Sequence, residues 1–538
     1  MKPSQRRRFR TMVASAAMVC AAATPDATPR AAEYTVVSVA VTGDAAPDSL
    51  GGRLLLAVEA PCITETGDIF FISHLLGAPS REGIFRASGS EIQPVLLSTT
   101  ESFRDLTCSA AGGIAVDAGD TLLKVIDGQV SVIVSNGDPV PGTETEFLRP
   151  ALPAINNAGD VAFISSVLST PPGRGGLFLD SNGKKSIVGL RGDPVPDREG
   201  EIFEAISGPP RINHAGNVTF GALISDSVNP IEGIFLRSPN GTRAVVLSTD
   251  TIPGTTKSYG SFGILGTFGG APVNNLDHVA FAGENLASDP ITRGIFVDVV
   301  GSVRIVARNV DETPEEAEAA FAAFGAPLIN DADEVAFPAL IQGGSGVPVA
   351  LYVQSDGNLV RIHQPDLAEF EQALPGFRTY SMNNAGDIAF ISTIHGGEVD
   401  PNTCRRATRC GLFLALRHAE LEIDIRPGST RNVIQTSSRG VVPVAILGSE
   451  EFDVRKVDVT TLAFGPGKAS PIHQAGGHIQ DVNGDGLPDL VSHYRTQKIG
   501  IAPEYTEACV SGETDEAWRR PFEACDAVDV LAPHGGAQ

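Results

Sequence analysis

Apolar and polar positions alternate through most of this chain in a phrase that recurs. The segment INNAGDVAFISSV at 155 returns as INHAGNVTFGALI at 212, VNNLDHVAFAGEN at 273, INDADEVAFPALI at 329 and MNNAGDIAFISTI at 382. ITETGDIFFISHL at 63 and CSAAGGIAVDAGD at 108 are degraded copies. Starts at 63, 108, 155, 212, 273, 329 and 382 lie 45 to 61 residues apart, a spacing that suits a propeller blade better than a helical repeat. Six of the seven copies are followed by a second apolar run with an aromatic, such as GIF at 83–85, GLF at 176–178 and ALY at 350–352. A turn, a third run ending in a phrase such as GDPVP, and a short fourth run lead to the next copy. Alternating runs of ~4–8 residues between turn residues read as strands, so each unit is expected to be a four-stranded meander.

Within the phrase, Asn156 is placed to accept hydrogen bonds from backbone two residues on. Gly159 supplies the positive φ that closes a hairpin. Val161 and Phe163 then share one face of the strand. Asp277 and Asp333 stand where Gly is lost, and Asp tolerates the left-handed region better than most residues. A residue exchanged in this way answers a backbone need. The recurring Asn and Asp are therefore read as structural, not catalytic.

The early run YTVVSVAVTGDAAP matches the third-run phrase VSVIVSNGDPVP, while the last unit, at 382–416, reaches GLFLAL and then departs. The early strand is expected to complete that last sheet, which hides edges that an open array leaves unpaired. The expected fold is all-β: a seven-bladed β-propeller over 33–418, closed by an N-terminal strand, plus a smaller C-terminal β-sandwich-like module over 419–538. An open β-array or two packed sandwiches is the alternative. The helix-prone run DETPEEAEAAFAAFG at 311–325 is read as a connection between blades. Over residues 35–416 the chain resembles the secreted bacterial tandem-repeat family named for its NxxGxxAF motif. The resemblance implies an exported repeat protein and carries no activity with it.

Composition narrows the partners. Asp and Glu number 64 against 40 Lys and Arg, and the net charge of −24 argues against nucleic acid or an anionic membrane surface. No internal apolar run reaches the ~18 residues of a spanning helix. Residues 1–23 read as a signal peptide: five cations and no acid between Lys2 and Arg10, then TMVASAAMVCAAA, with Ala21-Ala22-Ala23 as the cleavage site. Export by the general route, or by the twin-arginine route on Arg6-Arg7-Arg8-Phe9, places the chain outside the cytoplasm: secreted, periplasmic or on the cell surface. There the six remaining cysteines are expected to oxidise. Cys62 with Cys108, Cys404 with Cys410 and Cys509 with Cys525 is the simplest pairing, with other pairings and free buried thiols left open.

At about residue 420 the repeat stops. IDIRPGS, VVPVAILGSEEFDV and DVNGDGLPDL resemble a module that ends many secreted bacterial proteins. The last string sets Asp481, Asn483, Asp485 and Asp489 at positions 1, 3, 5 and 9 of a loop, with Gly486 at the sharp turn and the Leu487 carbonyl at position 7. Clustered oxygens on a tight loop suit calcium as a structural staple. Ser492 at position 12 replaces the bidentate Glu of an EF-hand, so the loop resembles the shorter calcium loops of dockerins. His473, His478 and His493 flank it and are read as solvated polar residues.

No GxSxG, HExxH or GxxxxGK[ST] occurs, so no catalytic motif guides the reading. Three functions stay open. The first is a secreted, non-catalytic binding or scaffold protein, monomeric, engaging an extracellular glycan or protein. The second is an extracellular polysaccharide hydrolase or lyase with its site on one propeller face. The third is a cell-surface structural component. Repeat-equivalent small or apolar residues along the central channel favour the first; unique polar residues converging at its mouth favour the second.

Overall fold

The computed structural model describes residues 33–48, 51–56, 59–100, 102–168, 174–225, 230–262, 270–285, 292–309, 311–314, 319–343, 349–362, 380–393, 410–450, 452–473 and 477–532. The expected signal peptide and Cys404 lie outside them. Among the described residues regular structure is almost wholly strand, with short 3-10 turns only at Val454–Lys456 and Thr496–Lys498.

From Arg53 to Arg417 the strands form successive antiparallel sheets, most of them of four strands. In one unit Phe147–Ile155, Val161–Val167, Arg174–Ser181 and Lys184–Leu190 lie side by side in chain order, and Phe203–Ile212, Val218–Ile224, Ile231–Ser238 and Gly241–Leu247 repeat the pattern. The recurring phrase is the hairpin between the first and second strands, with Ile155 opposite Val161 and Ile212 opposite Val218. Its turn needs a positive φ: 77° at Gly159, and 63° and 60° at Asp277 and Asp333, where glycine is replaced.

Strand alternation then stacks the aromatics. Phe71 lies opposite Phe85, Phe163 opposite Phe178, Phe220 opposite Phe235, Phe281 opposite Phe296, Phe337 opposite Tyr352 and Phe390 opposite Phe413. Their ring centroids are 5.5 to 6.0 Å apart. A third ring stands edge-on to the pair, from the first strand or, for Tyr259, from the loop before its sheet: Phe147 is 4.8 Å from Phe178, and Phe203, Tyr259 and Phe321 are each 5.1 Å from Phe235, Phe296 and Tyr352. Each such contact adds ~0.5–1.5 kcal/mol to simple burial. This demand overrides local propensity at 320–324. Ala320–Phe324 is a strand, not a connection, paired with Val335–Gln342. A register shift between Phe321 and Ala323 accompanies the burial of both Phe321 and Phe324.

The two ends of this region meet. Tyr34–Val41 pairs antiparallel with Cys410–Arg417, from Tyr34 opposite Arg417 to Val41 opposite Gly411. It takes the outer position that third-run strands hold in other sheets, and it carries their turn. The Asp44 carboxylate accepts from Val41 N–H at 2.8 Å. Asp138, Asp193, Asp250 and Asp311 accept at the same distance from Ser135, Leu190, Leu247 and Arg308.

Beyond Arg417, Ile423–Ile425, Val441–Ile446, Asp489–Arg495 and His478–Gln480 form one sheet, and Val457–Phe464, Glu507–Thr514 and Pro521–Ala527 another. Their shared buried core, including Ile425, Val444, Phe464, Tyr494 and Val510, is drawn from this region alone.

Candidate functional site

The hairpin turns are tied to one another. Asn156 Oδ1 accepts from Ala158 and Asp160 N–H at 3.0 and 2.9 Å, which closes its own turn. Its amide then donates to the Asn213 carbonyl of the next unit at 3.3 Å. Asn213 donates to Asn274 O, Asn274 to Asn330 O, Asn330 to Asn384 O, and Asn383 to Thr64 O in the first unit, at 3.0 to 3.4 Å. The degraded copies bridge the rest through backbone donors, Glu65 N–H to the Ala110 carbonyl at 3.1 Å and Ala111 N–H to the Asn157 side-chain oxygen at 2.9 Å. Those same copies carry the Cys62–Cys108 disulfide. The hydrogen bonds form an unbroken cycle.

Beside the first strands lies a cavity of about 90 Å³. Its lining includes Ala60, Asp105, Leu152, Pro209, Gly270 and Ala326, each four residues before the position of the recurring Asn in its copy. Proline suits this inner edge, where no further strand needs its N–H. Glu59, Asp105 and Arg211 are the charged members. Tyr380 also faces it, but its hydroxyl donates to Ala326 O, and burial pushes its pKa far up.

A much larger cleft, about 1200 Å³, opens between the end of the last sheet and the C-terminal sheets. Glu420, Glu422, Glu450, Glu507 and Glu523 line it, with Asn483, Asp485 and Leu487 of the acidic loop on its wall. The loop is braced from within. Asp481 accepts from Gly484 and Gly486 N–H at 2.7 and 3.1 Å, Asn483 from Asp485 N–H at 3.1 Å, and Asp485 from Leu487 N–H at 2.7 Å. Asp489 is buried, and its two oxygens accept from Gly448 and Val482 N–H at 2.9 and 2.7 Å. Each oxygen keeps a second lone pair, so the all-oxygen donor set still suits a hard cation. Among the described residues the gathered trio is elsewhere, Cys509, Glu523 and Cys525. Those sulfurs are joined in a disulfide, so that trio offers no thiolate to a metal. Cys410 is also disulfide-bonded, to a partner beyond the described residues.

Residues 107–230 and 225–406, more than half of the chain, match a family of unknown function, DUF7453. The chain belongs to DUF7453. No curated protein matches this DUF7453 chain in sequence. Among solved structures, the polysaccharide lyase Uly1 is similar at 10% identity, covering 66% of this chain and 89% of that one, with a TM-score of 0.36. A putative TolB from Agrobacterium tumefaciens is similar at 14% identity over 50% and 83% of the two chains, TM-score 0.29. The calcium-binding protein regucalcin from the same organism is similar at 14% identity over 56% and 85%, TM-score 0.25. Likeness at this level says nothing of activity. Two features of the DUF7453 chain escaped sequence reading. One is the relay of Asn amides between units, signalled only by the recurrence of the first Asn in INN, INH, VNN, IND and MNN. The other is the acidic cleft, whose walls come from distant segments. Among the described residues no helix is long and apolar enough to cross a membrane, which says nothing of a β-barrel.

Proposed function

We propose that this DUF7453 protein is an exported, non-catalytic binding or scaffold protein. In this reading residues 33–418 form a closed seven-bladed β-propeller, and residues 419–538 form a module stapled by calcium at Asp481, Asn483, Asp485, Leu487 and Asp489. The unbroken cycle of turn-to-turn hydrogen bonds supports closure. The observation that carries the non-catalytic reading is the cavity beside the first strands. Its walls are mostly repeat-equivalent apolar or small residues, and about 90 Å³ is far below the ~300–1000 Å³ of a small-molecule site. The lyase or hydrolase reading would rest on Glu59, Asp105 and Arg211, in a space too small for a sugar ring. Extracellular ligands are expected at the acidic cleft instead, and cationic groups on a glycan or protein partner complement it.

The purified exported chain, incubated with a panel of neutral, uronate-rich and amino-sugar polysaccharides, should retain some of them and cleave none. New reducing ends or unsaturated uronates would overturn the non-catalytic reading. Calorimetric titration with calcium should give a binding heat that Asp481→Ala and Asp485→Ala each abolish or weaken at least ~10-fold, from the loss of a charged ligand. Equal heats in all three proteins would remove calcium from the loop.

A further inference from the structure

His473, His478 and His493 come together on one face of the C-terminal sheet. His478 opens the strand His478–Gln480 and lies opposite Val491 of Asp489–Arg495. His493 is two residues further on, so it points to the same face as a diagonal neighbour. His473 is brought alongside by the bond from Ile472 N–H to His493 O, 2.9 Å. The His493 ring is 5.9 Å, centroid to centroid, from His478, and 5.8 Å from His473.

His74, His278 and His418 each lie against a carboxylate. Among the described residues the clustered three have no such ion pair; His473 and His478 each set a ring against His493. Nδ1 of His493 is buried with no hydrogen-bond partner, the state of a lone pair or N–H that lacks its ligand or acceptor.

We infer that His473, His478 and His493 form a binding site for a divalent transition metal of the zinc class. Zn–N bonds of ~2.1 Å at a tetrahedral angle put two ligating imidazoles about 5.2 Å apart between centroids. The observed 5.8 and 5.9 Å exceed that by little, and His473 and His478 are exposed, so their rings are free to turn inward. Three imidazole nitrogens leave one coordination position for water or a partner's donor, and they select a borderline metal over calcium. In this proposal the three histidines, otherwise read as solvated side chains, form a nitrogen site beside an oxygen loop.

The test is a cobalt titration of the chelator-stripped full exported chain, with calcium in excess to occupy oxygen sites. One equivalent should give a d–d absorption band that zinc abolishes. His473→Ala and His478→Ala should each weaken binding at least ~10-fold, since even an outer-shell change costs that much, and His214→Ala should leave it unchanged. Both altered residues are exposed, so folding is not at stake as it would be at His493. No band, or equal affinity in the parent and both variants, overturns the site.

Discussion

Asn274 makes four hydrogen bonds with one small side chain. Its oxygen accepts from Leu276 and His278 N–H, each at 3.0 Å, and its amide donates to Asn330 O at 3.0 Å and to Asp333 at 2.8 Å. It is buried, so water cannot replace these partners. Asn274→Ala should cost roughly 2–4 kcal/mol, from buried backbone groups left unpaired at ~1–3 kcal/mol each. Asn275, one residue on and exposed, bonds to Asp331 at 2.8 and 2.7 Å, and its replacement by Ala should cost under ~1 kcal/mol. Urea unfolding of the two variants measures the difference, and equal losses would mean that the relay does not hold the units together. The same scale revises why Asp replaces Gly at 277 and 333. Tolerance of positive φ is half of the reason. The other half is that each carboxylate accepts the amide of the preceding unit's Asn at 2.8 Å.

At the scale of strands, much was legible because the signal was repeated. Alternation around Val161 and Phe163 sorted the strand's two faces, which the fold buries in different cores, Val161 and Phe163 in one and Ala162 in the next, and the likeness of YTVVSVAV to third-run strands was enough to expect its pairing with the last sheet. Ala320–Phe324 was illegible because its alanines favour helix, and only the packing of Phe321 on Tyr352 makes it a strand. The cleft and the histidine cluster were illegible for a different reason: they depend on how sheets from distant segments face each other. The early strand also makes a direct prediction. Tyr34 and Val36 pack on the core around Phe390 and Phe413, while Val37 and Val39 pack on that around Leu412 and Leu414. Deleting residues 33–45 should destabilise the sheets by at least ~3 kcal/mol, the value of two well-buried aliphatic side chains, and should leave an open edge that promotes association. A deletion variant that melts with the parent and stays monodisperse in light scattering would contradict this.

For the whole molecule, the C-terminal sheets are fastened where the two ends of the repeat region meet. Trp518 donates from Nε1 to Gly67 O at 2.7 Å in the first unit. Arg520 grips Asp387 of the last unit through both nitrogens, at 2.8 and 2.7 Å, and donates to Arg417 O at 2.8 Å. Gly67 is needed here twice: its φ is 80°, and a Cβ would stand 3.0 Å from the Trp518 ring. One segment therefore clamps first and last sheets together. Asp387 is almost wholly buried, so removing Arg520 leaves a charge without its partner, a loss of ~3–5 kcal/mol when nothing else compensates. Arg417 N–H still reaches Asp387 at 3.1 Å, which sets the expectation for Arg520→Ala at the low end, about 3 kcal/mol. Arg520→Lys keeps the charge but not the two-pronged grip, and should fall between. The chain's single tryptophan reports the event directly. In the parent, Trp518 fluorescence and far-ultraviolet circular dichroism should change together on heating. In Arg520→Ala the fluorescence should change first, as the clamp releases before the sheets melt. Coincident transitions in both proteins would mean that this contact does not join the two parts.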